Sequence, residues 1–163
     1  MRYFLISILW LLVLSSCQPS KEPTTLVIVR HAEKISSGDD PGLTPIGQDR
    51  ADRLAEMLER HTIAAVYSTP YQRTRLTGAP TAKDNDLEVT EYDPSKAEDF
   101  LKEVINKHRG ETILITGHSN TVPAMVNMLT GSSLENFSDS DYGNLFVITG
   151  SELGSCSSVN LFY

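Results

Sequence analysis

Leu26-Val27-Ile28-Val29-Arg30-His31-Ala32-Glu33 is the stretch on which the fold turns. Its first four residues are apolar, mostly β-branched, and lack the alternation of a strand with one wet face, so they read as a strand buried on both sides in a parallel sheet. Arg30, His31 and Glu33 then fall at that strand's carboxyl end. Thr112-Ile113-Leu114-Ile115-Thr116 repeats the pattern and runs into Gly117-His118-Ser119-Asn120. Shorter strands are read at 64–67 and, weakly, at 87–90, and two closing strands at 145–148 and 159–163 flank a turn near Gly150.

Helical signals separate the strands. Thr44 is placed as an N-cap with Pro45 at the first helical position, where the missing N–H costs nothing. Gly47, Ala51, Leu54 and Leu58 form the inner stripe of this helix, while Asp49 with Arg53 and Glu56 with Arg60 stand at pairing distance outside. A second helix is expected over 71–83, shortened or disturbed by Pro80. The third, 95–108, has Ser95 and Glu98 as a capping box, apolar Ala97, Phe100, Leu101, Val104 and Ile105 at helical spacing, and Gly110 to close it. A fourth covers 121–129. Strands alternating with amphipathic helices predict an α/β fold, a three-layer helix/sheet/helix sandwich with a mostly parallel central sheet. Ligands of such folds bind beyond the carboxyl ends of the strands.

With 163 residues, 40% hydrophobic and 21% charged, the chain has the balance of one soluble globular domain, which excludes disorder and a polytopic membrane protein. A net charge of −7 offers no footprint for a nucleic-acid backbone, so no nucleic-acid partner is expected. Cys17 and Cys156, the two cysteines, are too few for a disulfide scaffold or a Cys-rich zinc site. The chain opens with one positive charge at Arg2 and an apolar run from Phe4 to Leu14 interrupted only by Ser7, which reads as an export signal. That run is shorter than the roughly 20 residues of a membrane-spanning helix. Leu14-Ser15-Ser16-Cys17 resembles the bacterial lipobox. The expectation is a signal peptide at 1–16, a lipidated Cys17 and polar tether at 17–24, and a domain at 25–163. The lipid would hold the protein to a membrane of the bacterial cell envelope, at the periplasmic face or the cell surface. With Cys17 lipidated, Cys156 has no partner and reads as a structural thiol.

The residues with chemistry cluster at the strand ends. His31 and His118 each follow a buried strand, whereas His61 and His108, at the ends of charged helices, read as solvated. The segment from Ser68 to Arg75 brings one or two guanidinium groups to the start of the second helix; Arg73 and Arg75, two apart, cannot share a helix face. Cations, two imidazoles and a helix N-terminus converging on one crevice describe a phosphate site.

These residues resemble the histidine phosphatase superfamily, the phosphoglycerate mutase-like family, in a small bacterial lipoprotein form. Its Arg-His-Gly signature stands here as Arg30-His31-Ala32, its Ser-x-x-x-x-Arg run ends on Arg73, its second histidine matches Gly117-His118, and its Leu-Thr-x-x-Gly matches Leu43-Thr44-Pro45-Ile46-Gly47. Ala32 departs from the pattern at a backbone position. The resemblance implies a nucleophilic His31 that forms a phosphohistidine, with Arg30, Arg73 and His118 binding the phosphoryl oxygens and no metal or other cofactor. It places the acid for the leaving oxygen in the loop after the third strand, at Glu91 or Asp93, with Glu33 a further candidate. The implied enzyme is a metal-independent phosphomonoesterase of the histidine acid phosphatase type, acting on a phosphorylated small molecule or a phosphoprotein. The domain is short, without room for an inserted helical cap, which favours an open cleft over a mutase. The rivals are a catalytically silent, lipid-anchored binder of phosphoryl ligands and a protein-phosphohistidine phosphatase.

Overall fold

A computed structural model describes residues 22–163. The expected signal peptide, Cys17 and the tether as far as residue 21 lie outside the described residues. The strands are β1 (Thr24–Arg30), β2 (Ile63–Ser68), β3 (Val89–Glu91), β4 (Thr112–Gly117), β5 (Asn144–Gly150) and β6 (Ser157–Phe162). The helices are α1 (Pro45–Leu58), α2 (Gln72–Asp84), α3 (Ala97–Lys107) and α4 (Thr121–Thr130). One six-stranded sheet runs in the order β3-β2-β4-β1-β5-β6. β1 to β4 pair in parallel, and β5 runs antiparallel to both of its neighbours, β1 and β6.

The apolar runs lack alternation because both of their faces are covered. Val27 and Val29 of β1 and Leu114 of β4 pack with Leu54 and Leu58 of α1 in one layer. Leu26 and Ile28 with Ile113 and Ile115 pack in the other against Leu101 and Val104 of α3 and Val122 and Met125 of α4. The sandwich of helix, sheet and helix is therefore the one read from the sequence. β6 departs from this plan: all six of its residues are exposed.

Several local expectations are corrected. Thr24, read as the end of the tether, opens β1, and its buried hydroxyl donates to the carbonyls of Ile105 (3.1 Å) and His108 (2.9 Å). Pro80 does not shorten α2, because buried Thr77, Gly78, Thr81 and Ala82 carry the helix through the lost bond by packing. The capping box at Ser95 does not form. Asp93 takes that duty, accepting from the Ser95 amide (2.9 Å) and hydroxyl (2.7 Å), and Pro94–Lys96 is a single 3₁₀ turn before α3. Glu98 pairs instead with Lys102 at 2.6 Å. On α1 neither outer ion pair closes; Arg60 leans to Glu59 at 3.6 Å, as expected where exposed charges gain little by pairing. His108 is buried rather than solvated, with Nε2 3.0 Å from the Tyr67 hydroxyl and Nδ1 2.7 Å from Glu111, while His61 is exposed as expected.

Candidate active site

The carboxyl ends of β1, β2 and β4 meet the first turn of α4 in a cleft of about 400 Å³ lined by Arg30, His31, Lys34, Tyr71, Arg73, Pro94, His118, Ser119, Asn120, Thr121 and Asp139. His31 forms its floor and is almost wholly buried. Its Nδ1 lies 2.8 Å from the Ala32 carbonyl. A carbonyl only accepts, so Nδ1 carries the ring proton and the lone pair stands on Nε2. Burial, reinforced by the charges of Arg30, His118 and Arg73, pushes the His31 pKa from 6.5 down to about 4, although its bond to Ala32 opposes the shift. The imidazole is therefore neutral at neutral pH.

The backbone around His31 is held by packing that explains the motif in the first helix. Thr44 caps α1 by accepting from the Gly47 amide at 3.1 Å, and the Thr44 amide donates to the Glu33 carbonyl at 2.8 Å. A Cβ at Gly47 would stand 2.2 Å from that same carbonyl, so only glycine lets α1 lie on the loop that follows His31. Ala32 is accommodated: it has no positive φ, and its amide donates to the Thr77 hydroxyl at 2.9 Å. Glu33 is turned out of the cleft and bound in a fork to Arg50 at 2.6–3.0 Å, and Arg50 also donates to the Tyr163 carbonyl at 2.6 Å.

His118 sits edge-on to His31, ring centroids 5.4 Å apart, and its Nε2 lies 2.8 Å from the Thr69 hydroxyl. Burial first, then Arg73 and Arg30, lower its pKa to about 4 as well. Arg30 is 4% exposed; its Nη1 donates to the carbonyls of Ser138 (2.7 Å) and Asp141 (3.1 Å), and its guanidinium stacks 4.3 Å over Tyr142. Arg73 packs 4.5 Å over the Tyr71 ring. The Nε groups of both arginines are buried without a hydrogen-bond partner, and among the described residues only Thr81 Oγ1 shares that state. Unpaired charged donors at one cleft are suited to an anion.

The sequence-predicted residues divide cleanly. Arg30, His31, Arg73 and His118 line one cleft, while Arg75 does not. Arg73 and Arg75 nevertheless both lie 3.9 Å from Asp40, their long side chains reaching it from different faces, so the face rule did not keep them apart. Of the acid candidates, Glu91 is exposed and paired with Arg75 at 2.8 Å, Asp93 is spent on its cap, and Glu33 on Arg50; none lines the cleft. Among the described residues no group of three or more His, Cys, Asp or Glu side chains is placed to hold a metal ion, and no helix is long and apolar enough to cross a membrane. Cys156 is a buried thiol with its Sγ 3.2 Å from the Glu152 carbonyl.

Sequence reading missed Asp40, Thr69, Tyr71, Tyr142 and Asp139. Asp40 accepts from the Gln72 amide at 2.9 Å and so caps α2 from a distant loop, a pairing without a local signal. The 138–142 loop had one: it immediately precedes β5, and an antiparallel β5 beside β1 starts where β1 ends, with Leu145 opposite Val29.

Residues 26–94 match the model of the histidine phosphatase superfamily (branch 1), a span that includes Arg30, His31, Gly47 and Arg73 and stops short of His118. Phosphoserine phosphatase 1 of Hydrogenobacter thermophilus is 26% identical over 166 aligned positions, which cover 69% of this chain and 79% of that protein. Among solved structures, the protein histidine phosphatase SixA bound to tungstate superposes with a TM-score of 0.71 at 19% identity, covering 85% of this chain and 96% of that one. A mycobacterial glucosyl-3-phosphoglycerate phosphatase gives 0.69 at 11% identity, with 87% and 99% covered. Over residues 26–94 the sequence is thus similar to the histidine phosphatase superfamily, and the described chain shares its fold with these solved phosphatases.

Proposed function

We propose that the protein is a metal-independent phosphomonoesterase that works through a phosphohistidine on His31. The observation that carries this reading is the Nδ1 contact to the Ala32 carbonyl, which leaves a neutral imidazole with its Nε2 lone pair free on the floor of a cationic cleft. Attack of Nε2 on phosphorus forms the P–N bond as the P–O bond to the alcohol breaks in line. Water then cleaves P–N, releasing phosphate and restoring neutral His31. Arg30 and Arg73, whose buried Nε donors lack partners, and His118 stabilise the charge on the equatorial oxygens. The first turn of α4 adds its dipole at Ser119 to Thr121. The similarity to a phosphoserine phosphatase supports a phosphatase, and a cleft open to solvent suits the phosphate end of a small molecule or a phosphorylated protein side chain.

Turnover of 4-nitrophenyl phosphate by the purified protein in excess chelator, with inhibition by vanadate, is the expected result. A protein that binds phosphate without turnover is a silent binder, and a requirement for added zinc or magnesium would refute the metal-independent route. We also infer that Cys17 is the lipidated first residue of a protein held at the bacterial envelope. Mass spectrometry should find acyl chains on Cys17 and detergent-phase partitioning that Cys17→Ser loses; a free Cys17 thiol on a processed, water-soluble protein would end that inference.

A further inference from the structure

We propose that Asp139, on the loop before β5, is the proton donor to the leaving oxygen, an assignment that rests on the phosphomonoesterase reading. Asp139 is the one carboxylate among the residues lining the cleft. The carboxylates nearest in sequence to the motif residues are committed elsewhere: Glu33 to Arg50, Glu91 to Arg75, and Asp93 to the start of its 3₁₀ turn. Asp141, on the same loop, accepts from the Ser138 amide at 2.9 Å and so shapes the loop. Asp139 makes no such bond. Its one close partner among the described residues is Nη2 of Arg30 at 3.9 Å, and its side chain is otherwise fully exposed.

In-line geometry decides why that position matters. His31 lies on the cleft floor, 3% exposed, so a phosphoryl group attacked from below must expel its alcohol on the opposite side, toward the mouth. Asp139 stands at the mouth. It is also anchored to the arginine proposed to hold the phosphoryl oxygens: the Ser138 and Asp141 carbonyls that flank it both accept from Arg30 Nη1. One loop thus positions the oxygen-binding guanidinium and a carboxyl group together, within an ion pair's reach of each other. In the first step the Asp139 carboxyl proton passes to the departing oxygen as P–O breaks and P–Nε2 forms, giving neutral alcohol and a carboxylate. In the second, that carboxylate takes a proton from the water that attacks phosphorus, and the cycle closes with no other reactant.

A general acid is recognised by its dependence on the leaving group, since a good leaving group departs without help and a poor one does not. The test compares the wild-type protein, Asp139→Asn and Glu91→Gln on 4-nitrophenyl phosphate, phenyl phosphate and β-glycerophosphate, reading kcat/KM for each. The loss caused by Asp139→Asn should grow with the pKa of the leaving alcohol and reach about 10²- to 10⁴-fold on the alkyl ester, while Glu91→Gln shows no such trend. An equal loss on all three esters would mean that Asp139 only tunes Arg30, and a trend in Glu91→Gln instead would move the acid to Glu91; either overturns the assignment. A wild-type protein that turns over none of the esters would fail the phosphomonoesterase reading itself, a separate result.

Discussion

The floor and the rim of the cleft are built on different principles. On the floor, Arg30 and His31 are buried, Thr69 sets His118, and Gly47 brings α1 against the backbone behind His31, so each of these side chains is held by packing or a short hydrogen bond. On the rim, Lys34 and Asp139 are exposed, and Arg75, Glu91 and Asp40 satisfy one another beside the cleft. In the proposed phosphomonoesterase reading, the floor would act on a phosphoryl group whatever is attached to it, and the rim is where the attached group would be met. Substitutions on the floor should therefore cost rate on every substrate, and substitutions on the rim should cost little or discriminate between substrates.

The largest effect is expected at His31. If His31 is the nucleophile as proposed, His31→Ala removes the attacking nitrogen and should lower kcat by about 10⁴-fold or more, the scale seen when a nucleophile that works as part of a unit is deleted. Acid-labile, alkali-stable labelling of the wild-type protein by phosphate should vanish with it. Near-normal turnover in a folded variant would remove the mechanism.

Next come the groups that hold charge. His118→Ala should cost about 2.7–4 kcal/mol of transition-state stabilisation, comparable with losing one strong oxyanion donor. Arg73→Lys should fall on a similar scale, because an ammonium cannot reproduce the guanidinium fork on phosphate oxygens. Losses below tenfold in kcat/KM for either would mean that the floor includes a merely structural member.

The two floor histidines also make a prediction about pH. Both have pKa values lowered from 6.5 to about 4 by burial and by Arg30 and Arg73. Between those values the unfolded chain binds protons that the folded one refuses, so the histidines' contribution should make folding stability fall as pH drops from about 6.5 to about 4; below that, the carboxylates held low by their partners, Glu33 by Arg50 among them, carry the fall further. Urea midpoints across that range should show the slope, and His31→Ala should flatten it. A slope of opposite sign would mean that the imidazoles are charged in the folded protein.

The same division explains what was legible in the sequence. A strand without alternation announces that it is buried on both faces, and the residue after it is then committed to the sheet's carboxyl edge; Arg30, His31 and His118 could be placed from that alone. Thr44, Pro45 and Gly47 were legible because capping is local. The rim was not, because its contacts join residues far apart in the chain: Asp40 to Gln72, and Arg30 to the loop at Ser138 and Asp141. His108 failed for a related reason. It ends a charged helix, which suggests solvent, yet β2 passes beneath it and Tyr67 closes over its ring.

The smallest effect should come from Arg75→Lys, and its smallness is informative. Arg75 lies two residues beyond Arg73 in α2, but its guanidinium points to Glu91 at 2.8 Å and to Asp40 at 3.9 Å rather than into the cleft. Its side chain is 38% exposed and that of Glu91 50%, so the pair is solvated and worth at most about 1 kcal/mol. A lysine can keep most of that attraction as a point charge, and nothing at this position requires a planar fork. Asp40 retains its bonds to the Gln72 amide, so the start of α2, and with it the placement of Arg73, should persist. The expectation is a change of less than about threefold in kcat/KM and a stability loss within about 0.5 kcal/mol, as for surface substitutions generally. If Arg75→Lys proved more damaging than Arg73→Lys on the same ester, the guanidinium that meets phosphate would be the outer one, and the line drawn between floor and rim would have to move past it.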